Sequence, residues 1–235
     1  MAEKGLFPSR EKAKAAIMAG VVYVDGIRAD KPGTPVGPDA DFKLKENVCP
    51  YVSRGGMKLK KALKEFSVET EGSVCMDIGA STGGFTDCLL QNGALRVYAV
   101  DVGYGQFDWK LRNDSRVVLM EKTNIRFFET EGFKEYFDII TIDVSFISLK
   151  LVFPVAAEMI KPEGSVICLA KPQFEAGREQ VGKKGIVRDA EVHKEVIANV
   201  IRYGSDNGMH NCGVTPSPIT GAKGNTEYLL IFKKI

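Results

Sequence analysis

The five cysteines, Cys49, Cys75, Cys88, Cys168 and Cys212, include no Cys-x-x-Cys pair, are odd in number and lie far apart. That excludes a disulfide scaffold and a structural zinc site from the reading; most of them sit in apolar runs, as small core hydrophobes do. Histidine is scarce too. His193 falls in a late helical stretch and His210 in an expected loop, and both read as structural or surface residues, so no metal is expected. No run approaches 18 consecutive apolar residues, so no membrane-spanning helix is expected. Residues 1–9 lack the apolar stretch of a signal peptide, and the expected compartment is the cytoplasm. Internal repeats and long low-complexity runs are also missing.

What the chain does have is an uneven charge distribution. Residues 1–64 carry 13 Lys or Arg against 7 Asp or Glu, a net +6, whereas residues 65–235 carry 19 against 23, a net −4. A basic block ahead of a slightly acidic body suggests an appendage for a polyanion. Arg10, Lys12 and Lys14 along one short helix, with Arg54 further on, are the candidate phosphate contacts.

The pattern of the first segment is helix, strand, turn, strand. Ser9 suits an N-cap, residues 10–19 a helix, and Gly20 a left-handed cap. Residues 21–24 then read as a strand and Asp25-Gly26 as a hairpin turn. Prolines and glycines over 32–38 lead to Phe42-Lys43-Leu44, and residues 46–50 suit a linker. From about residue 70 strands and helices alternate. Candidate strands cover 73–78, 95–100, 117–120, 137–143, 165–170 and 226–233, and the longest late helix covers 189–203, with Val192, Val196, Ile197, Val200 and Ile201 at helical spacing. Alternation of this kind predicts an α/β fold, a largely parallel Rossmann-like sheet with helices on both faces, behind a small α+β domain.

The most informative stretch is residues 77–86, Asp-Ile-Gly-Ala-Ser-Thr-Gly-Gly-Phe-Thr. A strand ends, small residues follow and a helix begins near Gly84, so the loop lies where open α/β sheets bind ligands. Asp101, 24 residues beyond Asp77, closes the next strand and suits ribose hydroxyls. The spacing Gly79-x-x-x-Gly83-Gly84 departs from the dinucleotide fingerprint Gly-x-Gly-x-x-Gly. S-adenosylmethionine has no pyrophosphate to cradle; it has a sulfonium and an amino-acid tail, and Asp77 suits the tail's ammonium. The expected cofactor site is Asp77, Gly79, Ala80, Ser81, Gly83, Gly84, Phe85 and Asp101.

Segments spread across nearly the whole chain carry a family resemblance. They include Ser9-Arg10-Glu11-Lys12-Ala13, Val24-Asp25-Gly26, the stretch Ser53-Arg54-Gly55-Gly56-Met57-Lys58-Leu59, the 77–86 loop and Asp101-Val102-Gly103-Tyr104. They continue with Asp143-Val144-Ser145-Phe146, Lys171-Pro172-Gln173-Phe174-Glu175 and Asn225-Thr226-Glu227-Tyr228. In these the chain resembles the TlyA family, described both as haemolysins and as ribosomal RNA 2′-O-methyltransferases, with a catalytic domain similar to FtsJ. The resemblance implies an S4-like RNA-binding domain over 1–46, a linker over 47–52 and an FtsJ-like methyltransferase domain over 53–235. It further implies an S-adenosylmethionine cofactor, ribosomal RNA or ribosomal subunits as partner, cytidine as the target and a catalytic set of Lys58, Asp143, Lys171 and Glu227. Family members carry an Arg-Leu-Asp segment before the Gly-Leu seen here as Gly5-Leu6, so the S4-like domain is expected to lack its first helix.

The four residues suit the chemistry. A ribose hydroxyl is a poor nucleophile near neutral pH and needs alignment and help in losing its proton. A lysine serves as base only when burial or a second cation disfavours its charged form; Lys58 is the expected second cation for Lys171, with Asp143 and Glu227 orienting both. Three other functions compete. A membrane-lytic protein is opposed by the lack of a span, an NAD-dependent dehydrogenase by the glycine spacing, and an RNA-binding protein without catalysis by the intact set of four.

Overall fold

The computed structural model describes residues 1–235 apart from 3, 8, 19, 30, 45–48, 132, 134, 222 and 223, with residue 15 described by its backbone alone. The expected place of Ala19 in the first helix and residues 46–48 of the expected linker therefore lie outside the described residues. Two compact units are present, Met1–Pro50 and Tyr51–Ile235.

The smaller unit has a helix α1 (Arg10–Met18) and an antiparallel sheet of β1 (Val22–Val24), β2 (Ile27–Arg28) and β3 (Phe42–Leu44) in the order β2-β1-β3. Ser9 caps α1 as expected, its hydroxyl accepting from the amide of Lys12 at 3.2 Å. Gly20, at φ +69°, ends it, and the Val21 amide reaches back to the Ala16 carbonyl. Asp25 and Gly26, at φ +51° and +79°, form the tight hairpin turn between β1 and β2. Arg10 and Lys14, one helical turn apart, line a concave surface with Arg28 and Lys31. Lys12 is also exposed but, two residues from each, lies on the opposite side of the helix.

The larger unit is built on a seven-stranded sheet. Its strands are β4 (Val74–Ile78), β5 (Arg96–Val100), β6 (Val117–Met120), β7 (Phe137–Ile142), β8 (Ile160–Ala170), β9 (Met209–Pro216) and β10 (Tyr228–Lys234), in the order β6-β5-β4-β7-β8-β10-β9. The strands from β4 to β8 run parallel, while β10 runs antiparallel between β8 and β9. The helices are α2 (Gly55–Glu65), α3 (Gly84–Gln91), α4 (Trp109–Arg112), α5 (Phe153–Met159), α6 (Pro172–Glu175) and α7 (Ala190–Asp206). Asp189 caps α7 by accepting from the Glu191 amide. Among the described residues no helix is long and apolar enough to cross a membrane.

Two expectations need correction. Residues 209–216 form a strand, so His210 lies on the sheet edge rather than in a loop. The edge position explains why the pattern hid it: only Met209 and Thr215 are buried there, and Asn211 and Gly213 break the apolar alternation. β8 begins at Ile160, five residues early, because Pro162 and Gly164, which signal a turn, lie in a stretch where its pairing with β7 is irregular. His193, by contrast, is structural as expected, with its ring between the Tyr228 hydroxyl and the Val187 carbonyl.

The core lies between β7, β8 and β10 and helices α5 and α7, where Phe137, Phe153, Ile140, Ile142 and Phe232 are fully buried. Phe153 and Phe232 meet edge to face at 5.1 Å, and a side chain at Gly204 on α7 would collide with the Phe232 ring. Phe232→Ala is expected to lower unfolding free energy by about 3–5 kcal/mol, a loss that urea denaturation would measure directly; a change under 1 kcal/mol (roughly the range of a tolerated swap) would mean that the core closes over the gap.

Candidate active site

Each of the four expected charged residues stands at the carboxyl end of the parallel strands or beside it. Asp143 follows β7, and its amide donates to the Ile78 carbonyl of β4 at 2.9 Å. Lys171 follows β8 in an extended conformation, and Pro172 starts α6 immediately afterwards, which fixes the direction in which the lysine leaves the sheet. Glu227 precedes β10; because β10 runs antiparallel with Tyr228 opposite Ala170, the end of β8 and the start of β10 coincide. Lys58 enters from the first turn of α2.

The four form one chain of alternating charge. Lys58 Nζ donates to Glu227 Oε2 at 2.7 Å and lies 3.8 Å from Asp143 Oδ2. Asp143 Oδ1 lies 2.5 Å from Lys171 Nζ, an ion pair without hydrogen-bond geometry. Lys171 gives its hydrogen bonds to the Val144 carbonyl at 2.9 Å and to Ser145 Oγ at 3.0 Å, and Asp143 Oδ1 is left buried with no hydrogen-bond donor. Lys58 and Lys171 are 8% exposed and Glu227 3%. The expectation that Lys58 acts as the second cation beside Lys171 is corrected in one respect, since the Asp143 carboxylate stands between them with one oxygen toward each.

Two cavities meet at this chain. One holds Lys58, Lys171 and Glu227, with exposed Arg54, the expected RNA contact, in its wall. The other, about 710 Å³, is lined by Asp101, Val102, Asn124 and Ile125. Gly79, Ser81, Asp143, Ser145 and Phe146 line both. At Gly79, φ is +86° and a Cβ would lie 2.6 Å from the Asp143 carbonyl oxygen, so only glycine lets the loop pass this close to the active strand. Asp101 accepts from the Ser81 amide (2.7 Å), the Gly103 amide (2.6 Å) and the Gln106 side chain (3.1 Å). Ala80, Gly84 and Phe85 line the lysine cavity, while Gly83, in the left-handed conformation, caps α3 and lines neither.

Asp77 takes a different place from the expected one. It lies beneath the loop, fully buried, and accepts from Thr86 Oγ1 at 2.7 Å and Thr141 Oγ1 at 3.0 Å, so it cannot meet an ammonium in the cavity. It fastens the loop and α3 to the sheet instead. The sequence reading missed Ser145, Phe146, Phe174, Asn124 and Gly221. Phe146 carries the clearest signal, 92% exposed and at φ +63° against Phe174, three residues after Asp143 in sequence. Burial pushes the Cys75 and Cys88 thiols up to about 12, which makes them inert packing groups. Among the described residues no three His, Cys, Asp or Glu side chains converge on a metal site.

An FtsJ-like methyltransferase family model matches residues 51–234, and an S4 domain model matches residues 1–42. The chain belongs to the FtsJ-like methyltransferase family. Within it the relatives are of TlyA type. The chain is 54% identical to YqxC of Bacillus subtilis, over 98% of this chain and 82% of the relative. It is 42% identical to a Mycobacterium tuberculosis protein named 16S/23S rRNA (cytidine-2′-O)-methyltransferase TlyA, over 98% of this chain and 86% of that one. A solved structure of a hemolysin candidate from Streptococcus thermophilus superposes with a TM-score of 0.81 at 48% identity, over 99% of this chain and 85% of that one.

For this FtsJ-like unit the buried Asp77 yields a pH prediction. Desolvation raises its pKa from 3.8 to about 6 against the opposing effect of the threonine hydrogen bonds. The folded state therefore binds the proton more tightly than the unfolded chain, and Asp77 disfavours folding progressively as pH rises from about 4 to 6. Asp77→Asn should remove this dependence. Its stability relative to the wild type should improve by roughly 3 kcal/mol across that window; parallel denaturation curves at pH 4 and 7 with a constant difference would show that Asp77 is not desolvated as described.

Proposed function

We propose that this chain transfers a methyl group from S-adenosylmethionine to the ribose 2′-hydroxyl of a cytidine in ribosomal RNA. The observation that carries the reading is the meeting of the two cavities at Asp143, with Lys171 in the wall of one of them. S-adenosylmethionine supplies an electrophilic methyl on a sulfonium. The larger cavity is within the usual range for a nucleoside-sized ligand, about 300–1,000 Å³. Its donor set also fits, with the Asp101 carboxylate for ribose hydroxyls, Asn124 for a base edge and Ile125 as an apolar contact. Asp143 lines both cavities, and its carboxylate favours a positive ligand where they meet.

On the lysine side, once its ammonium has released a proton to solvent, Lys171 holds the position to accept the 2′-hydroxyl proton as the oxygen gains its methyl. Val144, Ser145 and Asp143 fix its amine, and the Lys58–Glu227 pair closes the far wall and keeps Asp143 in place. Phe146 offers an exposed aromatic face at the mouth for the base of the incoming nucleotide, and Arg54 a guanidinium for its backbone. The S4 unit, with Arg10, Lys14, Arg28 and Lys31 on one concave surface, serves RNA capture. The naming of the M. tuberculosis relative supports ribosomal RNA as substrate and cytidine as target.

Lys171→Ala should lose methyl transfer by about 10²–10⁴-fold, the usual contribution of a general base. Lys171→Arg should fail nearly as badly, because a guanidinium does not give up its proton in this range. Single-turnover transfer to a ribosomal RNA fragment, with cofactor binding followed by calorimetry, tests both, and wild-type transfer by Lys171→Arg would remove the lysine as base. Reversing Arg10, Lys12 and Lys14 to Glu should weaken RNA binding and flatten its salt dependence without changing cofactor affinity. Filter binding across a salt series checks this, and unchanged affinity would assign RNA capture to other residues.

A further inference from the structure

Just before Glu227 the chain holds a second segment in place. Asn225 is buried; its Oδ1 accepts from the Val187 amide at 3.1 Å and its Nδ2 donates to the Gly185 carbonyl at 2.9 Å. His193 grips the same segment from α7, with Nε2 3.0 Å from the Val187 carbonyl and Nδ1 2.9 Å from the Tyr228 hydroxyl. A carbonyl can only accept, so Nε2 carries the hydrogen and Nδ1 accepts from the tyrosine. Residues 182–186 close on themselves. The Gly185 amide donates to the Gly182 carbonyl at 2.8 Å, the Gly182 amide donates to the Ile186 carbonyl at 3.1 Å, and Gly185 has φ +72°. This is a tight turn closed by a left-handed glycine, and Lys183 and Lys184 occupy its two corners.

Both lysines are exposed, as are Arg178 and Arg188 in the same loop. Among the described residues none of these four cations has an ion-pair or hydrogen-bond partner. The two acids of the stretch lie elsewhere in its geometry: Asp189 caps α7, and Glu179 folds back against Gly177.

We propose that the Lys183–Lys184 turn is a clamp for RNA phosphates at the rim of the active site, acting on the strand whose ribose enters the lysine cavity. The inference rests on the RNA-methyltransferase reading above and adds where the methyltransferase unit itself holds the RNA. Three observations carry it. The turn is bolted to Asn225, two residues in sequence from Glu227, so its backbone is anchored to the segment that delivers Glu227. Its backbone is already ordered, so gripping a phosphate adds little conformational cost beyond the lysine side chains. And Lys183, Lys184 and Arg188 line one surface depression, which offers a polyanion a local cationic foothold.

The test compares wild type with Lys183→Ala/Lys184→Ala and Lys183→Glu/Lys184→Glu double variants in the full chain, using a protein-free ribosomal RNA fragment and S-adenosylmethionine. The alanine pair should bind the RNA about tenfold more weakly at moderate salt, and the slope of log affinity against log salt should fall by roughly 1.4–1.8, the contribution of two phosphate contacts. KM for RNA should rise, while kcat, cofactor affinity and thermal midpoint stay at wild-type values; the glutamate pair should exaggerate the binding loss. Unchanged RNA affinity and salt slope overturn the clamp. So does a loss seen on intact ribosomal subunits but not on naked RNA, which assigns the turn to an acidic protein surface. Failure of the wild type to methylate the RNA, with the binding loss still present in the variants, would sink the proposed reaction and leave the clamp standing.

Discussion

Glu227, Lys58 and Lys171 are charges taken almost wholly out of water, with Asp143 partly buried among them, and they are tolerable only because each faces an opposite neighbour. Removing one partner from such a chain strands a buried charge at a cost of about 3–5 kcal/mol. The arrangement therefore constrains everything that delivers those side chains: two parallel strand ends, one antiparallel strand start and one helix must converge to within hydrogen-bond distance. Glycine permits that convergence at its tightest points. Gly79 lets the loop after β4 run against the Asp143 carbonyl, and the absence of a side chain at Gly221 leaves room for the Glu227 carboxylate.

The sheet solves the delivery problem through its one antiparallel insertion. A continuing parallel strand after β8 would have brought its own carboxyl end beside Lys171. Reversing β10 brings its amino end there instead, so a residue that merely precedes a strand reaches the site, and the same reversal places Asn225 against the loop before α7. His193 and Tyr228 then tie that loop to the helix and the strand together. Rigidity at this edge serves a reaction that depends on alignment, since effective concentration is lost when reacting groups drift by an ångström.

The cofactor side is supported from below rather than from within. Asp77 spends both carboxylate oxygens on Thr86 and Thr141, and Asp101 spends its own on loop amides and Gln106, so two acids brace the floor and the edge of the larger cavity. Asp101 keeps access to the cavity because it stands one residue beyond β5; Asp77 lacks it because it stands inside β4, under the turn that follows.

The sequence by itself determined the alternation of strands and helices, the glycine loop after the first strand of the large sheet, the caps at Ser9 and Gly20 and, through the family resemblance, the four charged residues, because each depends on local backbone chemistry or on motifs carried by neighbouring residues. It left β9 unseen, since an edge strand with polar residues on its open face has no apolar alternation to show. Only the tertiary structure decided which charges pair. It put Asp143 between the two lysines, took Asp77 out of the cavity, left Phe146 exposed at the mouth and hung the turn of Lys183 and Lys184 on Asn225, which lies more than forty residues further along the chain. These outcomes follow from strand order and from the direction of β10, which arise from long-range packing and which no local pattern of residues encodes.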